Sequence, residues 1–197
     1  MSASKGILLY ATNFRSGHVD VFDAAFVPVL LGAPGGLAGS FADSKIPAGF
    51  APFGIANVNG DLMVTYALQD AAKHDDVAGK GNGFVDIFST DGNLISRFAT
   101  RGHLNSPWGI ARAGFNFGKF SNDILIGDFG DGAINAFDSN GKFADQLEDT
   151  DGKTLKISGL WGLSFGGAAA ASPDTLYFTA GLNDEADGLF GSLTPNE

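Results

Sequence analysis

The 197-residue chain carries 22 acidic side chains against 12 Lys and Arg, a formal charge of −10, with 44% hydrophobic and 17% charged residues. That balance belongs to a folded chain with a core, and so acidic a surface repels phosphate backbones and anionic lipid, which argues against nucleic acid and membrane-surface partners. The chain has no cysteine, which excludes disulfides, thiolate metal sites and a cysteine nucleophile.

Taken in order, Ile7 to Tyr10 is an apolar run too short for a signal-peptide core, and no stretch reaches the length of a membrane span. Leu8 to Asn13 reads as a strand, with Val19 to Asp23 as its hairpin partner. The same pair recurs as Leu62 to Ala67 with Phe84 to Ser89, Ile124 to Phe129 with Ala133 to Asp138, and Leu176 to Gly181 with Leu189 to Leu193. A glycine opens the second strand each time (Gly17, Gly83, Gly132, Gly188). Asp91-Gly92 and Asn140-Gly141 are hairpin turns that lead into Leu94 to Phe98 and Phe143 to Leu147. Phe26 to Leu31 is the equivalent third strand after the first pair.

Ahead of each later pair stands one element, as Pro52 to Ala56 (PFGIA), Pro107 to Ala111 (PWGIA) and Leu160 to Ser164 (LWGLS). Its aromatics, Phe53, Trp108 and Trp161, recur at a nearly fixed period of about 54 residues, which signals a repeat architecture. Each full unit therefore holds four strands, A to D, and the fold predicted is an all-β β-propeller of four-stranded antiparallel blades. A β-sandwich would explain the strands but not the periodic aromatic-Gly-Ile-Ala. One domain, 1–197, holds about 3.5–4 blades at 7–31 (partial), 50–98, 106–147 and 159–193 (partial). Open blade edges at the two ends are expected to invite oligomerisation or other partners.

In such a fold the B–C and D–A connections share one face. That face collects Asn13, the long loop Gln69 to Asn82, Asp128, Asp131, the Asn183 to Asp187 cluster, Arg101, His103 and Asn105. Asp70, His74, Asp75 and Asp76, with Asp128, Asp131 and Asn13, are candidate ligands of a divalent cation. Carboxylates and amides suit Ca²⁺ or Mg²⁺, and His74 would tilt the choice toward Zn²⁺ or Mn²⁺. The alternative is a solvated acidic loop whose aspartates cap turns, since the spacing fits no strict template. His74 and His103 are the candidate acid–base residues. Phe53, Trp108 and Trp161 are read first as blade-to-blade packing and second as the lining of a ligand mouth.

Several long segments, LLYATNFRSGHVDVFD, LNSPWGIA, IGDFGDGAINAFD and DTLYFTAGLNDEADGLFGSL among them, resemble an uncharacterised family of exported bacterial proteins, some with a PEP-type C-terminal sorting signal. The resemblance implies a six-bladed ring about twice this length, of which the chain matches the C-terminal portion, and an extracellular or cell-surface location. The chain as given has no signal peptide and on its own is expected to stay in the cytoplasm. Two functions follow. One is a non-catalytic binding or interaction scaffold for a protein or small molecule, in which a metal is a stabilising element. The other is a divalent-metal-dependent hydrolase of lactonase or esterase type, in which the metal polarises a carbonyl and His74 or His103 moves the proton.

Overall fold

Thirteen strands are laid down in chain order in the computed structural model of the protein, which describes residues 6–167 and 172–195. They are β1 (Leu8–Asn13), β2 (His18–Asp23), β3 (Phe50–Val58), β4 (Asp61–Leu68), β5 (Gly83–Phe88), β6 (Leu94–Thr100), β7 (Pro107–Arg112), β8 (Ile124–Asp128), β9 (Ile134–Phe137), β10 (Phe143–Gln146), β11 (Leu160–Phe165), β12 (Leu176–Leu182) and β13 (Asp187–Leu193). A short 3₁₀ turn, Gly118–Phe120, lies between β7 and β8. None of the described helical segments is long and apolar enough to cross a membrane.

The strands pair as four separate antiparallel sheets: β1-β2, β3-β4-β5-β6, β7-β8-β9-β10 and β11-β12-β13. The second and third are complete A-B-C-D units, with the aromatic-Gly strands β3 and β7 at one edge. Where the repeat predicts a third strand in the first sheet, Phe26–Leu31 forms none. It makes only single bridges, Phe22 to Pro28 and Leu31 to Leu37. The bridge at Phe22 is closed by Asp23 N–H to Val27 O at 3.0 Å and Val29 N–H to Val21 O at 2.8 Å, but it goes no further as a strand: Phe26 sits at φ 60, and the Asp23 carboxylate accepts the N–H groups of Ala25 and Val27 in a local turn.

Three apolar clusters glue the sheets face to face. Leu8, Tyr10, Val19 and Val21 pack on Leu62, Val64, Phe84 and Phe88. Met63 and Val85 on the other side of the second sheet meet Ile110, Ile124, Ile126 and Phe137. Leu125, Ile134 and Ala136 meet Leu160, Leu163, Leu176 and Phe178. A sheet buried on both faces needs apolar residues at every position rather than at alternate ones. That is why β8 is buried along its whole length and β4 everywhere but at its ends.

The aromatic-Gly strands touch one another across the stack. A Cβ on Gly54 would lie 2.1 Å from the Trp108 carbonyl oxygen, and one on Gly109 would lie 2.5 Å from that of Trp161. Glycine is needed there because the backbone of the next sheet occupies the space of a side chain. Each of these strands carries a register shift at the same place, between Pro52 and Ile55, Pro107 and Gly109, and Leu160 and Leu163. The shift turns the aromatic out of the sheet, and Thr65 and Thr179 accept the N–H groups of Gly54 (2.8 Å) and Gly162 (3.0 Å).

Candidate functional site: an aromatic mouth and its polar surround

The bulged strands deliver Phe53, Trp108 and Trp161 to one end of the stack, the end where strand B also finishes. Strand B brings two more rings at equivalent positions, Phe14 after β1 and Phe129 after β8. The five form one connected group: Phe14 to Phe53 at 4.9 Å between centroids, Phe53 to Trp161 at 6.0 Å, Phe53 to Phe129 at 6.2 Å, Phe129 to Trp161 at 4.4 Å and Trp108 to Trp161 at 5.2 Å. All five are half-buried, so they stack on each other and still present ring surface to solvent. Thr12 Oγ1 donates to the Phe53 carbonyl at 2.9 Å, and the Gln69 side-chain amide donates to that of Phe14. These hydrogen bonds fix the backbone under the rings.

Beside the rings lies a repeated polar pair between the end of strand B and strand C. Asn13 Nδ2 donates to Asp20 Oδ2 at 2.9 Å in the first sheet. In the third the roles are exchanged: Asn135 Nδ2 donates to Asp128 Oδ2 at 2.6 Å, and Gln146 Nε2 donates to Asn135 Oδ1 at 2.9 Å. Asp128 and Asn135 are fully buried. Burial pushes the Asp128 carboxyl well above the usual range, against the smaller opposing effect of its hydrogen bonds. In the second sheet the position of Asp20 and Asn135 is held by Asp86, also fully buried, which pairs with Arg97; the same guanidinium reaches Asp43. Burial raises Asp86 too, while Arg97 opposes the rise.

The seven residues expected around a cation are placed as follows. Asp70 Oδ1 accepts the backbone N–H of His74 at 2.8 Å, and His74 Nδ1 meets Asp75 Oδ1 at 2.9 Å with both side chains about three-quarters exposed. Asp76 bridges back to Gln69, so residues 69 to 76 close on themselves as a turn. Asp131 accepts from the Ala133 N–H and from Lys156 Nζ, each at 3.3 Å. Asn13 and Asp128 belong to the two polar pairs above. Asp128 Oδ1 and Asp76 Oδ2 are buried with no hydrogen-bond partner. Even so, no three His, Asp or Glu side chains among the described residues form a metal-holding group. As arranged, the donors fall short of the six or more oxygens that calcium takes. His103 stacks flat on Phe143, with centroids 4.0 Å apart. In the Asn183 to Asp187 cluster, Asn183 Nδ2 donates to Asp187 Oδ2 at 2.7 Å.

The long loop is held instead through Asn105. Its Oδ1 accepts the Gly79 N–H at 2.6 Å and its carbonyl accepts that of Gly130 at 3.1 Å. Ser106, at φ 50, joins the same seam: its N–H donates to Asn82 and its carbonyl accepts from Phe129. The rings of Phe14 and Phe129 were the residues that motif reading passed over. Their signal was the shared pattern of Thr12-Asn13-Phe14 and Gly127-Asp128-Phe129 at the end of strand B.

No family model matches the chain. It is 34% identical over 196 residues to an uncharacterised protein of Acanthamoeba polyphaga mimivirus, a match covering 99% of this chain and 48% of that protein. A second uncharacterised protein of the same virus is 33% identical over 190 residues, covering 96% of this chain and 49% of the relative. The chain thus spans about half the length of these curated relatives. These viral relatives overturn the resemblance to a bacterial exported family, and the ground for expecting export goes with it. The repeat segments quoted for that resemblance encode blade packing, and packing motifs do not carry the source of a chain. Among solved structures, a gluconolactonase from Xanthomonas campestris superimposes with a TM-score of 0.54 at 15% identity, over 96% of this chain and 59% of that one. At that identity the likeness is one of fold, and the fold of this chain is all-β and β-propeller-like.

Proposed function

We propose that the chain is a non-catalytic binding scaffold, four blades of a larger propeller ring, whose ligand-contacting surface is the aromatic mouth of Phe14, Phe53, Trp108, Phe129 and Trp161. One observation carries this reading. The five rings are contiguous and half-exposed, whereas the polar pairs beside them close on themselves, Asn13 with Asp20 and Asp128 Oδ2 with Asn135, and the unpartnered Asp128 Oδ1 is buried. A surface of that kind recognises apolar or π-complementary ligand faces, and aromatic rings in a strongly acidic protein favour a ligand that also carries positive charge.

The larger ring is supported by the fourth sheet. Val19, Val85 and Ile134 hold one position in the first three sheets and are buried against the next. Phe190 holds that position in the fourth and is 70% exposed, stacked on Tyr177. Gly162 keeps the glycine that Gly54 and Gly109 need for the following sheet. The hydrolase reading asks for carboxylates converging on a divalent ion, and the arrangement above favours the scaffold over it.

The test uses benzyltrimethylammonium chloride as an aromatic cation and benzyl alcohol as its neutral counterpart, each titrated against tryptophan emission. The expected result is saturable quenching by the cation, weakened about tenfold in Trp161→Ala. Unsaturable quenching, or saturation unchanged by Trp161→Ala, would overturn the assignment of the mouth.

A further inference from the structure

Next to the mouth, the seam between the third and fourth sheets keeps open a space that the preceding seam fills. The two seams are built alike. Arg101 N–H donates to the Gly83 carbonyl at 2.8 Å, and Ile157 N–H donates to that of Gly132 at 2.9 Å. Where the next inner strand begins, the Ser106 carbonyl accepts the Phe129 N–H at 3.0 Å, and the Gly159 carbonyl accepts that of Gly181 at 2.9 Å. The chain between these fixed points differs in length: Ser106 stands five residues after Arg101, and Gly159 two after Ile157. The longer crossing carries Leu104, fully buried, whose Cβ lies 2.6 Å from where a Cβ on Gly83 would sit. The shorter crossing has no such side chain, and a pocket of about 240 Å³ stands beside Gly132, the counterpart of Gly83.

The walls of this pocket are rigid. A Cβ on Gly132 would lie 2.2 Å from the Ile157 carbonyl oxygen, and one on Gly159 would lie 1.9 Å from that of Gly181. Backbone already packed that closely cannot move in to fill the space. The lining sets the chemistry. Phe129 is shared with the mouth, where its ring meets Trp161 at 4.4 Å. Asp131 Oδ2 and Lys156 Nζ, 3.3 Å apart, put opposite charges on the wall, and Ser158 adds a hydroxyl. The ammonium has three donors and spends one on Asp131, whose carboxylate accepts two hydrogen bonds and has room for more. Neither charge has to give up its partner to meet a ligand, and at 58% and 33% exposed both are within reach of one. A ligand of single charge would meet its opposite and its like side by side. A fixed pair of opposite charges is complemented by a second pair in reverse order, so the group that fits carries both.

We propose that this pocket holds the zwitterionic head group of an α-amino acid whose aromatic body lies on Phe129 and Trp161. The ammonium turns towards Asp131 and the carboxylate towards Lys156. The inference rests on the mouth being a binding surface and names the class of its ligand: the positive charge expected there is the ammonium of a zwitterion.

The probe is L-phenylalanine, titrated calorimetrically beside phenethylamine, which lacks the carboxylate, and 3-phenylpropionate, which lacks the ammonium. Phenylalanine should saturate with a Kd of about 1–10 mM, and each counterpart should bind about fivefold more weakly, a comparison that leaves the protein untouched. In Lys156→Ala phenylalanine should fall to the level of phenethylamine. Ser158→Leu, which puts into this pocket a side chain of the kind Leu104 supplies to the other seam, should abolish phenylalanine binding. Three results would overturn the proposal: no saturation by phenylalanine, a counterpart binding as tightly, and phenylalanine bound equally well by Ser158→Leu. The mouth and the pocket fail separately. Quenching by benzyltrimethylammonium that Trp161→Ala weakens, with no preference for phenylalanine, would leave the mouth and sink the pocket. Phenylalanine bound by Trp161→Ala at full affinity and with its full preference would leave the pocket and sink the mouth.

Discussion

Gly109→Ala tests the close approach of the inner strands, on which the placement of the aromatic rings depends. The new Cβ would sit 2.5 Å from the Trp161 carbonyl oxygen, 2.9 Å from Leu163 Cγ and 3.2 Å from Leu163 N. Two of these atoms are backbone and cannot swing aside. To restore a normal contact, β7 and β11 must separate by roughly 0.5–1 Å, a gap that forfeits a quarter to a half of the dispersion energy across it. Leu163 is buried in the cluster between the third and fourth sheets, and a buried Leu makes about 50 atom contacts of ~0.15 kcal/mol. If about half of them cross the seam, the loss is roughly 1–2 kcal/mol. Strain from overpacking brings the total to about 2–3 kcal/mol. For a chain of this size that is a fall in Tm of roughly 5–10 °C by circular dichroism. Gly188→Ala is the control, because nothing lies within 4 Å of its Cβ position. It should melt within about 1 °C of the wild type. If Gly109→Ala melts as high as the control, the inner strands are not packed as described.

The remaining predictions concern charge. Burial raises Asp128 well above the carboxylate range, so the native chain holds that proton to higher pH than the unfolded one. Its contribution to stability is whole below the unfolded value of about 3.9 and is lost as pH rises through the raised native value. Asp128→Asn keeps an acceptor for Asn135 and removes the titration. Its Tm relative to wild type should therefore climb as pH rises above the unfolded value of about 3.9, and a flat difference would refute the buried, raised carboxyl. Arg97→Met strips the cation from fully buried Asp86 and nearly buried Asp43. Since Arg97 is itself 23% exposed, the cost is taken at the low end for a broken buried pair, about 3 kcal/mol by urea denaturation. A midpoint equal to wild type would show that the carboxylates are neutral or hydrated. Millimolar Ca²⁺ followed by EDTA should move the melting point by less than about 1 °C. A shift of several degrees that disappears in Asp75→Ala would mean that the 69–82 loop rearranges to gather its carboxylates.

Much of this molecule was legible as a string because its signals are local. Asp91-Gly92 and Asn140-Gly141 specify hairpins by their own backbone preferences, and the runs in β4 and β8 announce strands covered on both faces. The period of Phe53, Trp108 and Trp161 then turns strands into a repeat. Local reading failed where a side chain overrode the period, as the Asp23 carboxylate does by turning the chain at Ala25 to Val27 in the first sheet. It reached the candidate site in part, naming Phe53, Trp108 and Trp161 as a second reading and passing over Phe14 and Phe129. The acidic loop looks dense in ligands along the chain, yet Asp70 caps its own turn, Asp131 meets Lys156, and Asp128 turns inward to Asn135. Side chains adjacent in sequence need not converge, and their directions are set by the turn that carries them. The reverse holds for Phe14 and Phe129, which lie 115 residues apart and join one ring cluster because their sheets stack about a common set of inner strands. Sequence alone determined the strands, their hairpins and the repeat, all of which depend on neighbours along the backbone. Only the tertiary structure decided which end of the stack is aromatic and which carboxylates are buried, because those depend on how one sheet covers the next.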